Sequence, residues 1–195
     1  MKKRIITISR EFGSGGRTIG KLVADSLGIA FYDKEIIEKA AGETGFSEEF
    51  IEEQGEDSPT KSIFAYSFIG RGMNGMSAED YLWTAQRRII LDLAEKEPCV
   101  IVGRCADYIL RDREDCLNVF IHADVDKRAE RIVKLYGETD TKPKKRLADK
   151  DKKRKINYNY YTDQVWGRAQ NYHLTLDSGV IGINPCAEII TWISK

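Results

Sequence analysis

The sequence has few of the residues from which metal sites and disulfide frameworks are built. Its 195 residues include four cysteines, two histidines and four prolines, and no Cys-x-x-Cys pair occurs. This composition excludes the common structural zinc sites. Because the cysteines lie in or beside apolar runs, we expect buried, reduced thiols.

Long apolar runs are also missing. The longest fall far short of the roughly 20 residues that a membrane-spanning helix needs. The basic start, residues 1–4, precedes only a short apolar run and lacks the longer core and cleavage site of a signal peptide. We therefore expect a cytoplasmic protein with no membrane partner.

Net charge is absent as well, since 31 Lys and Arg balance 31 Asp and Glu. This balance argues against a general binder of nucleic acid polymers. The charge is nevertheless uneven: residues 43–57 hold seven acids and no base, whereas residues 142–155 hold nine bases and two acids. A basic run of this kind can bind a compact anion, although such runs are more often solvated helix faces.

What the sequence does contain is an alternation of short apolar runs with amphipathic segments. This pattern predicts an α/β fold, with a parallel sheet covered by helices on both faces. Strands are predicted at 5–8, 29–32, 99–102, 117–121 and 173–176. Helices are predicted at 18–27, 34–41, 47–54, 78–96, 107–111, 125–136, 144–161 and 187–193, the last one entered through Asn184-Pro185, and residues 56–77 are predicted to be connecting structure.

The first predicted strand leads into the most informative segment of the chain, Gly13-Ser14-Gly15-Gly16-Arg17-Thr18. Glycines allow backbone N–H groups to converge on one point, and the helix that follows adds its own unpaired N–H groups. Arg17 supplies a positive charge and Thr18 a hydroxyl that can reach a metal ion. The segment is therefore predicted to bind a polyphosphate through residues 13–18.

The match to the Walker A pattern G-x-x-x-x-G-K-[ST] is partial. Arg17 stands in place of the lysine, and Glu11 stands in place of the first glycine. The dinucleotide fingerprint G-x-G-x-x-G fits less well, because its third glycine falls on Thr18. A glycine-rich turn without a ligand remains the alternative.

Two further polar residues follow predicted strands. Asp33 comes after the second strand and Arg104 after the third. Ligands of parallel sheets bind beyond the carboxyl ends of the strands, so both residues are candidates for the same site. Asp33 is equally suited to cap the helix that starts near Lys34. The alternative for Arg104 is a structural ion pair at the end of the strand.

In the order of these segments, the chain resembles the nucleoside monophosphate kinases, and among them the cytidylate kinase-like family. The resemblance covers nearly the whole chain and is carried by four groups of residues. They are 9–17 (SREFGSGGR), 31–33 (FYD), 99–110 (CVIVGRCADYIL) and, late in the chain, Tyr160-Tyr161-Thr162, Trp166-Gly167, Asn171-Tyr172 and Leu176-Asp177-Ser178.

The resemblance implies a single three-layer P-loop kinase domain over residues 1–195. Its core would comprise about 1–33, 97–137 and 172–195, with a helical insert that binds the monophosphate at about 34–96 and a basic helical lid at about 138–171. The implied ligands are ATP with Mg²⁺ and a nucleoside monophosphate. Residues Gly13, Ser14, Gly15, Gly16, Arg17 and Thr18 would bind the ATP phosphates, with Thr18 also on the metal.

The resemblance also implies roles for other residues. Asp33, Arg104 and Asp107 would bind the acceptor. Lys153 and Arg154 in the lid, together with Arg128, Arg131 and Arg17, would supply positive charge to the transferring phosphoryl group. The aromatic residues 158–172 are expected to pack the lid rather than to stack on a base, and His122 and His173 are expected to be structural.

The sequence departs from the family pattern in places that concern the acceptor. Cytidylate kinases carry an aspartate directly after the Gly-Arg pair, whereas Cys105 stands here and the nearest acid is Asp107. We expect phosphoryl transfer from ATP to a nucleoside monophosphate, with CMP or dCMP favoured. The alternatives are a P-loop kinase for another small acceptor and a nucleotide-sensing module without turnover.

Overall fold

The computed structural model describes residues 4–48, 51 and 77–195, and within them the chain builds a five-stranded parallel sheet flanked by helices. The strand order is β2-β3-β1-β4-β5. The strands are β1 (Ile5–Arg10), β2 (Ala30–Tyr32), β3 (Cys99–Val102), β4 (Cys116–His122) and β5 (Leu174–Asp177). The helices are α1 (Gly16–Leu27), α2 (Lys34–Thr44), α3 (Ala78–Lys96), α4 (Ala106–Ile109), α5 (Val125–Tyr136), α6 (Pro143–Thr162), α7 (Ser178–Ile181) and α8 (Ile183–Ser194), with a 3₁₀ turn at Ala169–Asn171.

The central strand β1 lies between β3 and β4, with Ile5 paired to Cys99 on one side and to Cys116 on the other. Strands buried on both faces read as continuous apolar runs, which is how the sequence revealed them. Because all the pairings are parallel, the carboxyl ends of the five strands meet at one edge of the sheet.

Alternate residues of the strands pack into two separate apolar cores. On one face, Ile6 and Ile8 pack with residues of α1 and α8. On the other face, Ile5 and Ile101 pack against α2 and α3. This is the three-layer α/β architecture expected from the sequence. Helix α1 begins within the glycine-rich segment 11–18, which we call the phosphate loop.

Most of the predicted elements are confirmed, with differences at their ends. Strands β1 and β4 are each two residues longer than expected. Strand β1 continues through Ser9 and Arg10, whose polar side chains break the apolar pattern, and β4 gains Cys116 at its start and His122 at its end. The prediction that Asn184-Pro185 starts the last helix is wrong: α8 begins at Ile183, after Gly182, and the short helix α7 before it was not predicted. The predicted helix 47–54 and the connecting segment 56–77 lie almost wholly outside the described residues.

Stacked aromatic rings connect two helices that are far apart in the sequence, α3 and α6. Trp83 of α3 stacks on Tyr161 of α6, with ring centroids 4.5 Å apart and an interplanar angle of 7°. Phe120 of β4 likewise packs against Trp166 and Tyr172, at centroid distances of 5.4 and 4.9 Å. The expectation that these late aromatic residues serve packing is thus met in the structure.

The four cysteines are all buried, and none of them forms a disulfide. His173 is structural as expected, because its Nδ1 accepts a hydrogen bond from the Asn118 N–H at 2.9 Å. In the part of the chain that the structure describes, no helix is both long and apolar enough to cross a lipid bilayer.

Candidate active site

A cleft of about 490 Å³ opens at the edge where the strands end. It is bordered by the phosphate loop, the start of α2, the end of α5 and one side of α6. Eight basic residues line it against two acids, Glu11 and Asp33. The eight basic residues are Arg10, Arg17, Lys34, Arg104, Arg131, Arg146, Lys150 and Arg154. Such an excess of positive charge suits a polyanionic ligand.

The phosphate loop reaches into the cleft in a conformation that depends on glycine. Gly13 and Gly15 have φ of +80° and +84°, in the left-handed region. The first N–H used inside α1 is that of Ile19, which donates to the Gly15 carbonyl at 2.9 Å. The N–H groups of Gly16, Arg17 and Thr18 therefore precede the helix ladder, at the positive end of its dipole.

The loop is also too closely packed for side chains. A Cβ on Gly16 would lie 2.6 Å from the Cβ of Arg10, and one on Gly15 would meet the Cδ1 of Ile183. A Cβ on Gly13 would lie 2.9 Å from the carbonyl oxygen of Arg128. Three glycines are thus needed here for space, and two of them for backbone conformation as well.

Arg17 and Asp33, predicted for the donor and acceptor sides respectively, form an ion pair. The Arg17 Nε lies 2.7 Å from Asp33 Oδ2, and the two side chains are 54% and 17% exposed. Asp33 occupies the N-cap position of α2, as the capping alternative expected, but its side chain makes no hydrogen bond to the helix N–H groups. The pair positions the guanidinium of Arg17 between the phosphate loop and the end of β2.

Arg104 lies in an unusual backbone turn after β3. Arg104 and Cys105 have φ of 57° and 54°, directly after Gly103 at 76°. Left-handed conformations cost L-residues about 1–2 kcal/mol each and persist where the surroundings enforce them. Arg104 lines the cleft while its Nη1 donates to the Ile51 carbonyl at 3.1 Å. This contact joins the turn to Ile51, which lies in the sequence between α2 and α3.

Asp107 does not line the cleft, although the sequence placed it on the acceptor. It is 2% exposed beneath the Arg104 turn, and its carboxylate accepts hydrogen bonds from Ser9 Oγ at 3.0 Å and from Tyr158 Oη at 2.7 Å. Burial raises the pKa of Asp107, and burial together with that carboxylate raises the pKa of Tyr158. Asp107 thus connects β1, the turn and α6, and direct contact with an acceptor stays a prediction.

The predicted cations of α5 and α6 separate into two groups. Arg131 and Arg154 line the cleft. Arg128 does not line it, because its guanidinium is held by Glu11 and Asp151 and is only 10% exposed. Lys153 is also not part of the cleft wall. For Arg128 and Lys153, contact with the transferring group stays a prediction that this geometry does not favour.

Four cations in the cleft were missed in the sequence, namely Arg10, Lys34, Arg146 and Lys150. Arg146 and Lys150 precede Arg154 by eight and four residues, so all three lie on one face of α6 and line the cleft together. The signal was present as an i, i+4, i+8 spacing within the basic run. Arg10 ends β1, and its aliphatic part packs against Gly16.

Thr18 is the residue expected to bind Mg²⁺. Its Oγ1 accepts a hydrogen bond from Arg131 Nη2 at 3.0 Å. Among the described residues, no cluster of three or more His, Cys, Asp or Glu side chains is arranged to hold a metal. A donor set of one hydroxyl fits an ion that takes most of its ligands from phosphate oxygens and water, provided that Arg131 moves away.

Comparisons with known proteins agree with this geometry. The chain is 28% identical over 191 residues to a cytidylate kinase of Archaeoglobus fulgidus, covering 95% of this chain and 91% of the relative. Its fold is similar to that of an uncharacterized protein from Eubacterium ventriosum, with a TM-score of 0.73, 26% identity and 97% of each chain covered.

More distant structures share the fold alone. Shikimate kinase from Acinetobacter baumannii, in complex with shikimate, gives a TM-score of 0.55 at 17% identity, with 97% of this chain and 91% of that chain covered. The enzyme from Bacteroides thetaiotaomicron gives 0.56 at 15%, with 97% of each covered. The sequence profile of the cytidylate kinase-like family matches residues 5–180. The chain therefore belongs to the cytidylate kinase-like family.

Proposed function

We propose that the protein transfers the γ-phosphoryl group of ATP to a nucleoside monophosphate, with CMP or dCMP as the favoured acceptor. Membership of the family supports a nucleotide kinase. The observation that carries the proposal is the cleft itself, in which eight basic side chains surround a glycine loop and the N-terminus of α1. Phosphoryl transfer needs alignment and positive charge more than covalent help, and this site offers both.

The donor phosphates would bind residues 13–18, where the unused N–H groups of α1 face the cleft. Arg17 would bridge donor and acceptor, because its guanidinium lies beside Asp33 rather than folded back on the loop. A planar guanidinium can bind two phosphate oxygens at once, which a lysine cannot. Thr18 would hold Mg²⁺, which when bound neutralises phosphate charge and orients the polyphosphate.

The acceptor phosphate would bind on the other side of Arg17, where Arg104 and Arg10 end the neighbouring strands β3 and β1. Arg154 and Lys150 approach from α6 and would supply charge to the transferring group. Closing α6 over the site would exclude water and so limit hydrolysis of ATP. In this proposal, the core, the insert at 34–96 and the lid at 138–171 are parts of one kinase domain.

The identity of the acceptor depends on Cys105. This residue lies in a narrow pocket of about 20 Å³ beside Arg104, together with Asn157 and Trp166. A thiol cannot accept a hydrogen bond from a cytosine amino group as strongly as the aspartate that cytidylate kinases carry there. Cys105 is therefore the specific observation that favours a second candidate, a P-loop kinase for another small acceptor.

An ADP-release assay with a panel of acceptors tests the proposal. CMP, dCMP, UMP, AMP and GMP are each supplied with Mg·ATP, beside a hydroxyl acceptor such as shikimate. We expect the highest kcat/KM for CMP or dCMP and its loss in Arg104→Ala, but not in Arg87→Ala, which removes an exposed arginine of α3. Turnover of another acceptor would support the second candidate. ATP binding by calorimetry without turnover on any acceptor would contradict both and favour a sensor.

A further inference from the structure

Glu11 occupies the position of the first Walker A glycine and has a defined structural task. Its Oε2 accepts a hydrogen bond from the Ala123 N–H at 3.2 Å and lies 3.3 Å from Arg128 Nε. Its side chain is thereby turned toward the end of β4 and the start of α5. Glu11, the residue that departs from the Walker A pattern, therefore attaches the phosphate loop to α5.

Arg128 is the centre of this attachment. Its Nε donates to the Ala123 carbonyl at 3.0 Å, and its Nη1 donates to the Phe12 carbonyl at 3.1 Å. The Cβ position of Gly13 is in contact with the backbone of the same residue. A guanidinium committed to these partners is a poor candidate for a cation that binds a phosphate.

Asp151 completes the network from α6. Its Oδ1 accepts the Phe12 N–H at 2.7 Å, and its Oδ2 accepts Arg128 Nη1 at 2.6 Å. The carboxylate is 17% exposed, so both bonds are charge-assisted and partly shielded from water. Phe12 and Asp151 are 139 positions apart in the chain, and this side chain brings the lid helix onto the phosphate loop.

The position of Asp151 on α6 matters because of its neighbours. Lys150 precedes it, and Arg154 follows one turn later on the cleft side, where its Nη1 donates to the Arg10 carbonyl at 3.2 Å. At the start of α6, Arg146 donates to the Gly137 carbonyl at 2.9 Å. Because Asp151 holds α6 against the phosphate loop, it also sets the distance between that loop and the three cations on this face of α6. These cations are Arg146, Lys150 and Arg154.

We propose that Glu11, Arg128 and Asp151 form a brace that positions the lid cations over the phosphate loop before nucleotide binds. Asp151 is the positioning residue of this brace, and Arg128 acts through it rather than on the phosphoryl group. The consequence for catalysis rests on the proposed kinase function, whereas the brace itself does not. In this reading, α6 is attached at its middle and any closure occurs by rotation about that attachment.

The first experiment tests the brace without activity. Hydrogen exchange is measured for the amides of residues 11–18 in the wild type, Asp151→Ala and Asp151→Asn. We expect roughly tenfold or greater loss of protection at Phe12 in Asp151→Ala and a smaller loss in Asp151→Asn, which keeps one acceptor for the N–H. Asp149→Asn, an exposed acid on the same helix, is the matched control and should match the wild type.

A double-mutant cycle between Arg128→Ala and Asp151→Ala gives the second readout. We expect the doubly substituted protein to be destabilised by clearly less than the sum of the single effects, because either change breaks the same bonds. Additive effects together with unchanged exchange at Phe12 would overturn the brace. If Arg128→Ala does not fold, Arg128→Lys, which retains charge but loses the fork, takes its place in the cycle.

The catalytic consequence is then read from kinetics. Asp151→Ala should lower kcat by roughly tenfold to a hundredfold and change the KM for ATP by less than about threefold, because misplaced lid cations act mainly on the transition state. An equal rise in KM with unchanged kcat would contradict the positioning role. If the wild type shows no kinase activity, the proposed function fails, while exchange and the cycle still decide the brace.

Discussion

Residues 11–14 of the phosphate loop are fastened to the rest of the protein, whereas residues 15–18 present their backbone to the cleft. In the first half, the Glu11 N–H donates to the Ile121 carbonyl at 3.0 Å, and the Ser14 carbonyl accepts from Ser178 Oγ at 2.5 Å. In the second half, helix α1 leaves the N–H groups of its first residues outside its ladder. One glycine-rich motif thus contains a structural half, residues 11–14, and a half that we propose binds ligand, residues 15–18, called the ligand-binding half below.

This division explains why the loop tolerates departures from the Walker A pattern. Glu11 replaces a glycine in the structural half, where its carboxylate forms contacts that a glycine lacks. In the ligand-binding half, Gly15, Gly16 and Thr18 follow the expected chemistry, and Arg17 keeps the positive charge. The departure that changes side-chain size, Glu11, thus falls where contacts within the protein determine the conformation.

The largest expected effect tests the structural half. Gly13→Ala should lower the free energy of unfolding by about 3 kcal/mol, since it adds a left-handed alanine and crowds the backbone of Arg128. Gly28→Ala is the matched control, because Gly28 has a left-handed backbone with φ of +65° and nothing lies within 4 Å of the new Cβ. It should cost only about 1 kcal/mol. If urea denaturation showed the same loss of unfolding free energy in both variants, the close contact between Gly13 and Arg128 of α5 would not contribute to stability.

The next effect tests the ligand-binding half. Arg17→Ala should lower kcat/KM about a hundredfold while changing the free energy of unfolding by less than about 1 kcal/mol, because the Arg17–Asp33 pair is half exposed. The kcat/KM of Arg17→Lys should lie between those of the wild type and Arg17→Ala, because lysine keeps the charge but lacks the planar guanidinium. Arg87→Ala, which removes an exposed arginine of α3, is the control. If Arg17→Ala were as active as this control, Arg17 would not contact the phosphates.

The smallest effect concerns Asp107, which anchors β1 just before the loop. Burial raises its pKa, so the folded state favours the protonated carboxyl. The contribution of this group to stability is therefore complete below its ordinary pKa and decreases as pH rises through the raised value. The free energy of unfolding of the wild type minus that of Asp107→Asn should therefore decrease from pH 4 to pH 7. Urea denaturation across this range measures it.

The exposed Asp112 provides the control for this pH dependence, since Asp112→Asn makes the same chemical change on a side chain that is 85% exposed. Its difference from the wild type should stay nearly constant over the same range. A difference that increased with pH for Asp107→Asn would mean that hydrogen bonds from Ser9 and Tyr158 outweigh burial.

The sequence predicted the core of this arrangement because its signals are local. Strand periodicity located β1, β3 and β4, and the parallel topology then placed residues 13–18, Asp33 and Arg104 at one edge. Helical spacing would also have identified Arg146 and Lys150 beside Arg154. What local patterns could not predict are partners across the chain, such as Asp151 with Phe12.

The positions of two acidic residues that the sequence singled out, Asp33 and Asp107, depend on such distant partners. Asp33 precedes α2 in the position of a cap, yet Arg17 of α1 takes its carboxylate. Asp107 follows the Gly-Arg pair closely, yet the turn rotates it beneath the sheet edge, where Ser9 and Tyr158 bind it. In both cases, residues distant in the sequence determine where the carboxylate lies, so the local pattern could not predict its position.

The stacked rings of Trp83 and Tyr161 have a practical consequence. They belong to α3 and α6, and α6 also lines the cleft through Arg146, Lys150 and Arg154. Separation of these elements exposes the indole of Trp83 to water, and their approach shields it. The indole of Trp83 is therefore an intrinsic fluorophore at the contact between α3 and α6, and its emission would report any movement of one helix relative to the other.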